Sequence, residues 1–234
     1  GGRYSKFQGQ GPSPRSGHGA VYIKNKVYIF GGSNYFQSRL HYNDMYILDL
    51  GNIHVNDLTV HDKYIYIGTD TNTWIKTELH GDVPCPRTQF SFTAIGDKIY
   101  LFGGDLVHSS RYFADLYEYN TKSQTWRYLF PRGSGPSPRV GHSATAVGKR
   151  DALYYTAVDD NVSGRKIFFF GGHYEADRLG PNATTTMTSG NYNDVHILDL
   201  DRNEWIKPNV TGNVPSSRSW HSAIVSQCQL CSDN

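Results

Sequence analysis

Val27-Tyr28-Ile29-Phe30-Gly31-Gly32 is an apolar run closed by a glycine pair, and the chain repeats it. Ile99-Tyr100-Leu101-Phe102-Gly103-Gly104 and Phe168-Phe169-Phe170-Gly171-Gly172 are the other two copies. Each copy belongs to a larger unit. Trp74, Trp126 and Trp205 are each followed 13 positions later by an arginine: Arg87, Arg139 and Arg218. With Arg15 as the first, the units running from arginine to arginine are 72, 52 and 79 residues long. A period of this size decides the architecture before any local propensity is considered. Gly31 and Gly103 both lie 16 residues after their arginine, whereas Gly171 lies 32 after Arg139, so the third unit carries 16 extra residues near Lys149 to Gly164. That unit carries 11 more between Gly172 and Asp194, and the first carries about 19 between Leu50 and Asp70. Without Gly51 to Thr69 the first unit reads Tyr46-Ile-Leu-Asp-Leu-Asp-Thr-Asn-Thr-Trp, in step with Tyr117-Glu-Tyr-Asn-Thr-Lys-Ser-Gln-Thr-Trp126.

Each unit offers four short runs rich in Val, Ile, Tyr, Phe and Trp, separated by Gly, Pro, Asn and Asp, which predicts strands joined by turns. In the first unit they are His18 to Ile23, Lys26 to Phe30, Asp44 to Leu50 and Trp74 to Leu79. The runs are apolar on both faces rather than alternating, as in strands covered on both sides. A glycine pair suits a strand end where the chain turns hard or another backbone comes close. The three tryptophans read as packing between units, because the indole buries a large area. No apolar pattern at i, i+3, i+4 and i+7 is sustained, so no helix is expected. A formal net charge of +2 argues neither for nucleic acid nor for an anionic membrane surface. No apolar run approaches the roughly 18 residues of a spanning helix, and no secretory leader is visible.

The set of features resembles the kelch repeat over nearly the whole chain. The pieces are a Pro-Arg-x-Gly-His start, a strand ending in Gly-Gly, an Asn-Asp slot with a second aromatic strand, and Asn/Gln-x-Trp. Asn43-Asp44, Ala114-Asp115 and Asn193-Asp194 fill the third slot. Two departures stand out: Gln89-Phe90 replaces Gly-His in the second unit, and Ser219-Trp220-His221 stands in the last. The resemblance implies an all-β, kelch-type β-propeller. Three complete blades are expected, at 15–86, 87–138 and 139–217, flanked by the last strand of a preceding blade (1–14) and the first of a following one (218–234). Propellers typically close with four to eight blades, so an incomplete ring within a larger protein is expected.

Candidate chemistry is sparse. Three cysteines, Cys85, Cys228 and Cys231, and no leader favour an intracellular setting, cytoplasmic or nuclear. Cys228-x-x-Cys231 lacks the second pair of a zinc site. Sequons at Asn161, Asn182 and Asn209 are about as many as chance supplies. His18, His142 and His221 share one slot and read as structural rather than as metal ligands. No Ser-His-Asp order, P-loop or His-Glu-x-x-His is present, so no catalytic residue and no cofactor are expected. Arg15, Arg87, Arg139 and Arg218 precede the first strands of successive blades and are expected on the face that also carries the loops after Gly-Gly. They admit two readings. One is a ring of guanidiniums gripping carboxylate or phosphate. The other is structural, with pairing to backbone carbonyls or to Asp44, Asp115 and Asp194. The loops Ser33 to Tyr42, Asp105 to Phe113 and His173 to Tyr192 frame that face and supply Tyr35, Phe36, Arg39, His108, Arg111, Tyr112, Tyr174 and Arg178. Tyrosine and arginine are favoured at protein interfaces. The expected function is a protein-interaction scaffold or substrate-recruiting module whose partner offers an acidic or phosphorylated segment. The alternatives are a propeller attached to a catalytic domain, as in kelch-type Ser/Thr phosphatases, and a kelch-fold metalloenzyme. The insertion at Gly51 to Thr69 predicts an extra hairpin on the opposite face. Lys149 to Gly164 is expected to extend the loop between the first two strands on that same face, and Ala183 to Gly190 is expected to be a polar flexible loop.

Overall fold

The computed structural model describes residues 7–34, 40–51, 58–61, 64–67, 72–106, 111–148, 164–178 and 186–224. Every regular element among them is a strand. The first unit contains β1 (Gly19–Ile23), β2 (Lys26–Phe30), β3 (Ser33–Asn34), β4 (Leu40–His41), β5 (Met45–Asp49), β6 (Leu58–His61), β7 (Tyr64–Ile67) and β8 (Thr73–Thr77). The connector into the second holds β9 (His80–Gly81), and the second contains β10 (Ser91–Ile95), β11 (Lys98–Phe102), β12 (Asp105–Leu106), β13 (Arg111–Tyr112), β14 (Leu116–Asn120) and β15 (Thr125–Leu129). The third contains β16 (Ser143–Val147), β17 (Lys166–Phe170), β18 (His173–Arg178), β19 (Thr186–Asn191), β20 (Val195–Asp199) and β21 (Glu204–Ile206).

These strands form three four-stranded antiparallel blades, β1-β2-β5-β8, β10-β11-β14-β15 and β16-β17-β20-β21. The sheets stand side by side in an open arc. The register repeats: Gly19 pairs Phe30, Ser91 pairs Phe102 and Ser143 pairs Phe170. In blade 1 the β1–β2 turn is Lys24-Asn25, both with positive φ (46° and 62°), the geometry that follows the twist of a two-residue hairpin. The axial strands β1, β10 and β16 pack against one another. Thr93 Oγ1 donates to the Ala144 carbonyl at 3.1 Å, and Thr145 Oγ1 to that of Ala223 at 3.0 Å. The connector leading into each blade also pairs in parallel with that blade's outer strand: Gln8 with Thr73, β9 with β15, and Arg132 with Glu204.

The two-faced apolar character of the strands has a direct cause. Along β11, Ile99 and Leu101 join the core shared with blade 1, which holds Phe30, Met45 and Ile47. The alternate residues Tyr100 and Phe102 join the core shared with blade 3, which holds Ile167, Phe169 and Leu198. A strand with period-two side chains between two blades buries both sets. Trp126 is 1% exposed and meets Phe30 of the preceding blade at 4.8 Å between ring centroids. Trp205 likewise meets Phe102 at 5.6 Å. Trp126 and Trp205 therefore pack between blades, as the sequence predicts. Truncating a ring so enclosed costs about 3–5 kcal/mol.

The insertion after Leu50 contains the hairpin β6–β7, paired only with itself among the described residues, between β5 and β8. One expectation is corrected. Thr186 to Gly190, read as part of a flexible loop, forms most of β19 and pairs with β18 from Arg178 to Tyr174. The β-branched Thr186 and Thr188 suit an extended ladder, and polarity alone does not separate a polar ribbon from a loop. Residues 149–163, including the expected loop extension, lie outside the described residues.

Candidate functional site

The residue after each motif arginine bridges the residue after each Gly-Gly pair: Ser16 with Ser33, Thr88 with Asp105, Val140 with His173. Arginines and post-glycine ribbons therefore share one face. The ribbons β3–β4, β12–β13 and β18–β19 rise from it.

On this face each of the first three arginines closes a latch. Arg87 Nη1 donates to Asp115 Oδ1 at 2.5 Å and to the Gly103 carbonyl at 3.0 Å. Its Nη2 donates to Asp115 Oδ2 at 2.8 Å, and its Nε to the Cys85 carbonyl at 3.2 Å. The guanidinium carbon sits 4.1 Å from the centre of the Phe113 ring. Arg139 repeats this with Asp194 (2.6 and 2.9 Å), the Gly171 carbonyl, the Ser137 carbonyl and the Tyr192 ring. Arg15 repeats it with Asp44, Gly31, Ser13 and Tyr42. The fork geometry of guanidinium matches a carboxylate with two parallel bonds, which a lysine cannot do. Burial alone would disfavour the Arg87 charge, but hydrogen bonds and attraction from Asp115 outweigh it and raise its pKa. Burial pushes the Asp194 carboxyl up, and hydrogen bonds from Arg139 and His196 outweigh this, holding it well below the usual carboxylate range.

The backbone of the same arginines reaches the preceding blade. The carbonyls of Arg87, Arg139 and Arg218 accept from Gly32, Gly104 and Gly172, and their amides donate to Tyr42, Phe113 and Tyr192. The glycine pair is required here. At Gly103 φ is +70°, and an added Cβ would stand 2.8 Å from the Arg139 carbonyl oxygen and 3.0 Å from His142 Cε1. One arginine thus ties its own blade by its side chain and the previous blade by its main chain.

The expectation of four open guanidiniums around the mouth is corrected by this geometry. The Arg87 and Arg139 side chains are 0% exposed and that of Arg15 3%, with the charge already matched by an aspartate. Arg218 differs. It is exposed, and among the described residues its guanidinium contacts only Ser216. Of the loop residues, Arg111 is exposed at the β13 edge with its guanidinium 5.3 Å from the Phe113 ring centre. Tyr112 and Tyr174 are half-buried, and the Tyr174 ring packs on Tyr192 at 4.7 Å. Arg178 ends β18 opposite Thr186. Tyr35, Phe36, Arg39 and His108 lie outside the described residues, as do Cys228 and Cys231.

The histidine slot is a wedge between blades. His142 lies between Phe102 and Phe169 (5.5 and 6.1 Å), against Gly103. Phe90 occupies the same slot against Gly31, which explains why an aromatic ring substitutes for imidazole there. Burial, aided by Arg139, pushes His142 down to about 3, so the ring is neutral. No three His, Cys, Asp or Glu residues converge as a metal site among the described residues.

The residue before this wedge builds the mouth of the face. Gln89 donates its amide to the Gly17 carbonyl, Gly141 to that of Gln89, and Trp220 to that of Gly141 (2.9, 3.1 and 2.7 Å). This backbone chain runs from blade to blade in a left-handed conformation: φ is +65° at Gly17, 57° at Gln89, 59° at Gly141 and 52° at Trp220. Glycine takes it freely, whereas a bulky residue there costs of order 1–3 kcal/mol. Gln89 and Trp220 nonetheless place side chains at the mouth, and Trp220 Nε1 donates to Gln89 Oε1 at 3.0 Å. The Trp220 indole stacks on His173 at 5.7 Å. His173 Nε2 lies 3.8 Å from Glu175 Oε1. Burial first, then the nearby Glu175 and Asp105 charges, push the Tyr112 hydroxyl up to about 12. Asp105 accepts from Thr88 Oγ1 at 2.6 Å, and burial raises its pKa. Sequence reasoning does not select Gln89, Trp220, Asp105 or Glu175; the departures at Gln89-Phe90 and Ser219-Trp220 are the signal that points to two of them.

Comparison with known proteins agrees with the repeat. The profile of the KLHDC2/KLHL20/DRC7 Kelch-repeats domain matches residues 51–231, and that of the Kelch motif matches residues 14–52. Host cell factor of Drosophila melanogaster is 30% identical over 226 residues, covering 92% of this chain and 12% of that protein. Human Host cell factor 2 is 30% identical over 232 residues, covering 95% of this chain and 24% of that protein. The chain thus spans a quarter or less of the length of these relatives. Among solved structures, that of YjhT aligns over 90% of this chain and 74% of its own at 15% identity, with a TM-score of 0.42.

Proposed function

The chain belongs to the kelch-repeat family, and from that premise we propose that it is the protein-binding module of a larger protein, recruiting a partner through the post-glycine ribbons. The observation that carries this reading is the contrast within one face. The latch of arginine, aspartate, glycine pair and aromatic ring repeats in three blades with nearly the same distances. The ribbons rising beside it differ in sequence, and β18–β19, with six-residue strands, is longer than the two-residue ribbons β3–β4 and β12–β13. A rigid repeated scaffold carrying unlike loops is how binding surfaces are built on propellers and other repeats.

The partner segment is proposed to be acidic or phosphorylated. With three motif arginines committed to aspartates, that preference rests on the ribbon cations Arg39, Arg111 and Arg178. Arg111 is exposed beside Tyr112. Several charge-assisted contacts together are compatible with micromolar affinity, about 8 kcal/mol. Binding through solvated charges weakens as salt rises. An intracellular setting, cytoplasmic or nuclear, is proposed with it, since Cys85 is a free thiol engaged by Arg87 Nη2 at 3.2 Å.

The test is a pull-down with wild type, with Arg39→Glu plus Arg111→Glu, and with Lys122→Glu on the opposite face. The ribbon pair is expected to release partners that Lys122→Glu retains. Retention of every partner by the ribbon pair, with release by Lys122→Glu, places the binding surface on the other side and overturns the assignment.

A further inference from the structure

The mouth enclosed by the ribbons has a chemistry opposite to that of its rim. Around it run Trp220, His173, Glu175, Tyr112 and Asp105, linked in that order by stacking, a 3.8 Å imidazole–carboxylate approach, the nearness of the Tyr112 hydroxyl to the Glu175 charge and the β12–β13 pairing. Two carboxylates, Glu175 and Asp105, belong to it, together with the imidazole of His173 and, beside Asp105, that of His41. Arg111 lies over the Phe113 ring. The indole is 65% exposed although a hydrogen bond to Gln89 and the stack on His173 hold it in place. A ring held on one face and open on the other, next to carboxylates, is a receptor for a cation. The packing of the blades does not ask for this indole: glycine fills the same slot at Gly17 and Gly141, in the same backbone conformation.

We infer that the mouth takes one lysine or arginine side chain of the bound segment, its cation set on Trp220 and facing Glu175 and Asp105, with Trp220 and Gln89 as the specificity determinants. This rests on the reading of the ribbon face as the partner-binding surface and sharpens it. The segment sought is acidic at its flanks, where it meets the rim cations, and basic at one central position.

The experiment titrates the full chain against four fluorescein-labelled nonapeptide mixtures by anisotropy. Their flanks are randomised among acidic and neutral residues, and the central residue is lysine, arginine, methionine or glutamate. The lysine and arginine mixtures are expected to bind at least about five-fold tighter than the methionine mixture, the scale of a cation–π contact of about 1 kcal/mol. Trp220→Gly and Glu175→Gln should each reduce that ratio to below about two-fold while leaving methionine-mixture binding in place. Trp220→Gly installs the residue of the equivalent slots and should unfold no lower than wild type, and Glu175→Gln alters an exposed side chain and should match it. Equal binding of all four mixtures, or preference for glutamate, overturns the inference and leaves the ribbon face standing as the partner surface. Retention of the lysine preference in both variants removes the mouth from the recognition. Failure of all four mixtures to bind sinks the inference together with the functional reading beneath it.

Discussion

Asp115→Ala separates the latch from a ligand-binding role of the motif arginines. The substitution removes both carboxylate oxygens from Arg87 and leaves a guanidinium that is 0% exposed, still charged, and held only by the Gly103 and Cys85 carbonyls, the Cys85 sulfur and the Phe113 ring. Breaking a buried pair from one side costs about 3–5 kcal/mol, most of it the uncompensated charge. The Asp115 side chain is 18% exposed, so water reaches the vacated space from that side and the cost lies toward the lower end of the range for a buried pair. The assay is urea unfolding followed by the fluorescence of Trp126 and Trp205. With a slope of about 3 kcal/mol per molar, the midpoint should fall by about 1–1.7 M, toward the lower value. Asp115→Asn keeps an acceptor for Nη1 and loses the charge, so about half that drop is expected, the scale of one hydrogen bond to a charged group. Replacing both partners, Arg87→Met with Asp115→Leu, should recover most of the loss, since an apolar pair needs no counter-charge. Arg218→Ala, at an exposed arginine whose guanidinium contacts only Ser216 among the described residues, should stay within about 0.5 kcal/mol of wild type. If Asp115→Ala proves as harmless as Arg218→Ala, the latch is not what joins the strands, and the motif arginines return as candidates for partner contact.

Three further outcomes follow from the geometry. His142 is neutral in the folded chain, with its pKa lowered from 6.5 to about 3 by burial and by Arg139 and His221, against a smaller upward pull from Asp194. Between those values the unfolded chain binds the extra proton, so stability should fall as pH drops from about 6.5 towards 3, by up to about 1.4 kcal/mol per pH unit. His142→Phe, the ring found in the equivalent slot at Phe90, should flatten that slope in urea melts at pH 7 and pH 4.5; an unchanged slope refutes the assignment. Gly103→Ala, forced into φ +70° against the Arg139 carbonyl, should lower stability by more than about 1 kcal/mol and unfold at a lower temperature, whereas an unchanged midpoint would mean the turn relaxes freely. Deleting residues 51–69 removes a hairpin paired only with itself among the described residues and should leave thermal unfolding of the three blades cooperative, because loop length costs little entropy; loss of the folded state would make the insertion part of the core.

The fold was legible because every blade repeats the same physical solution. The Trp-to-Arg spacing survives insertions of very different length: the insertions enter at turns, and the strands between them must keep register with neighbours on both sides. Val27 to Phe30 and its copies read as apolar throughout, and β11 shows why, since it serves two cores at once. The arginines were ambiguous for an equally physical reason. A guanidinium recurring in each unit fits a buried fork on an aspartate as well as an open ring of cations, and only the positions of Asp44, Asp115 and Asp194 relative to it decide. The strand β19 is not legible because a threonine-rich polar ribbon has the composition of a loop.

The mouth was legible only in negative. A motif that keeps glycine at a left-handed position does so because any side chain there is strained and projects over the preceding blade. Where Gln89 and Trp220 break the pattern, packing gains little: Gln89 contributes one acceptor, and Trp220 leaves most of its indole in solvent. A conformational cost carried without burial in return has to be offset elsewhere, and the neighbours that share the mouth are polar groups already in mutual contact. Trp220→Gly should therefore raise stability by about 1 kcal/mol, the strain relieved at that residue, while removing the selectivity for a central basic residue. Urea unfolding and the anisotropy titration read the two effects on the same variant. A Trp220→Gly chain that is less stable than wild type would make the indole a structural prop, and the reason for its place at the mouth would then lie in the fold rather than in the partner.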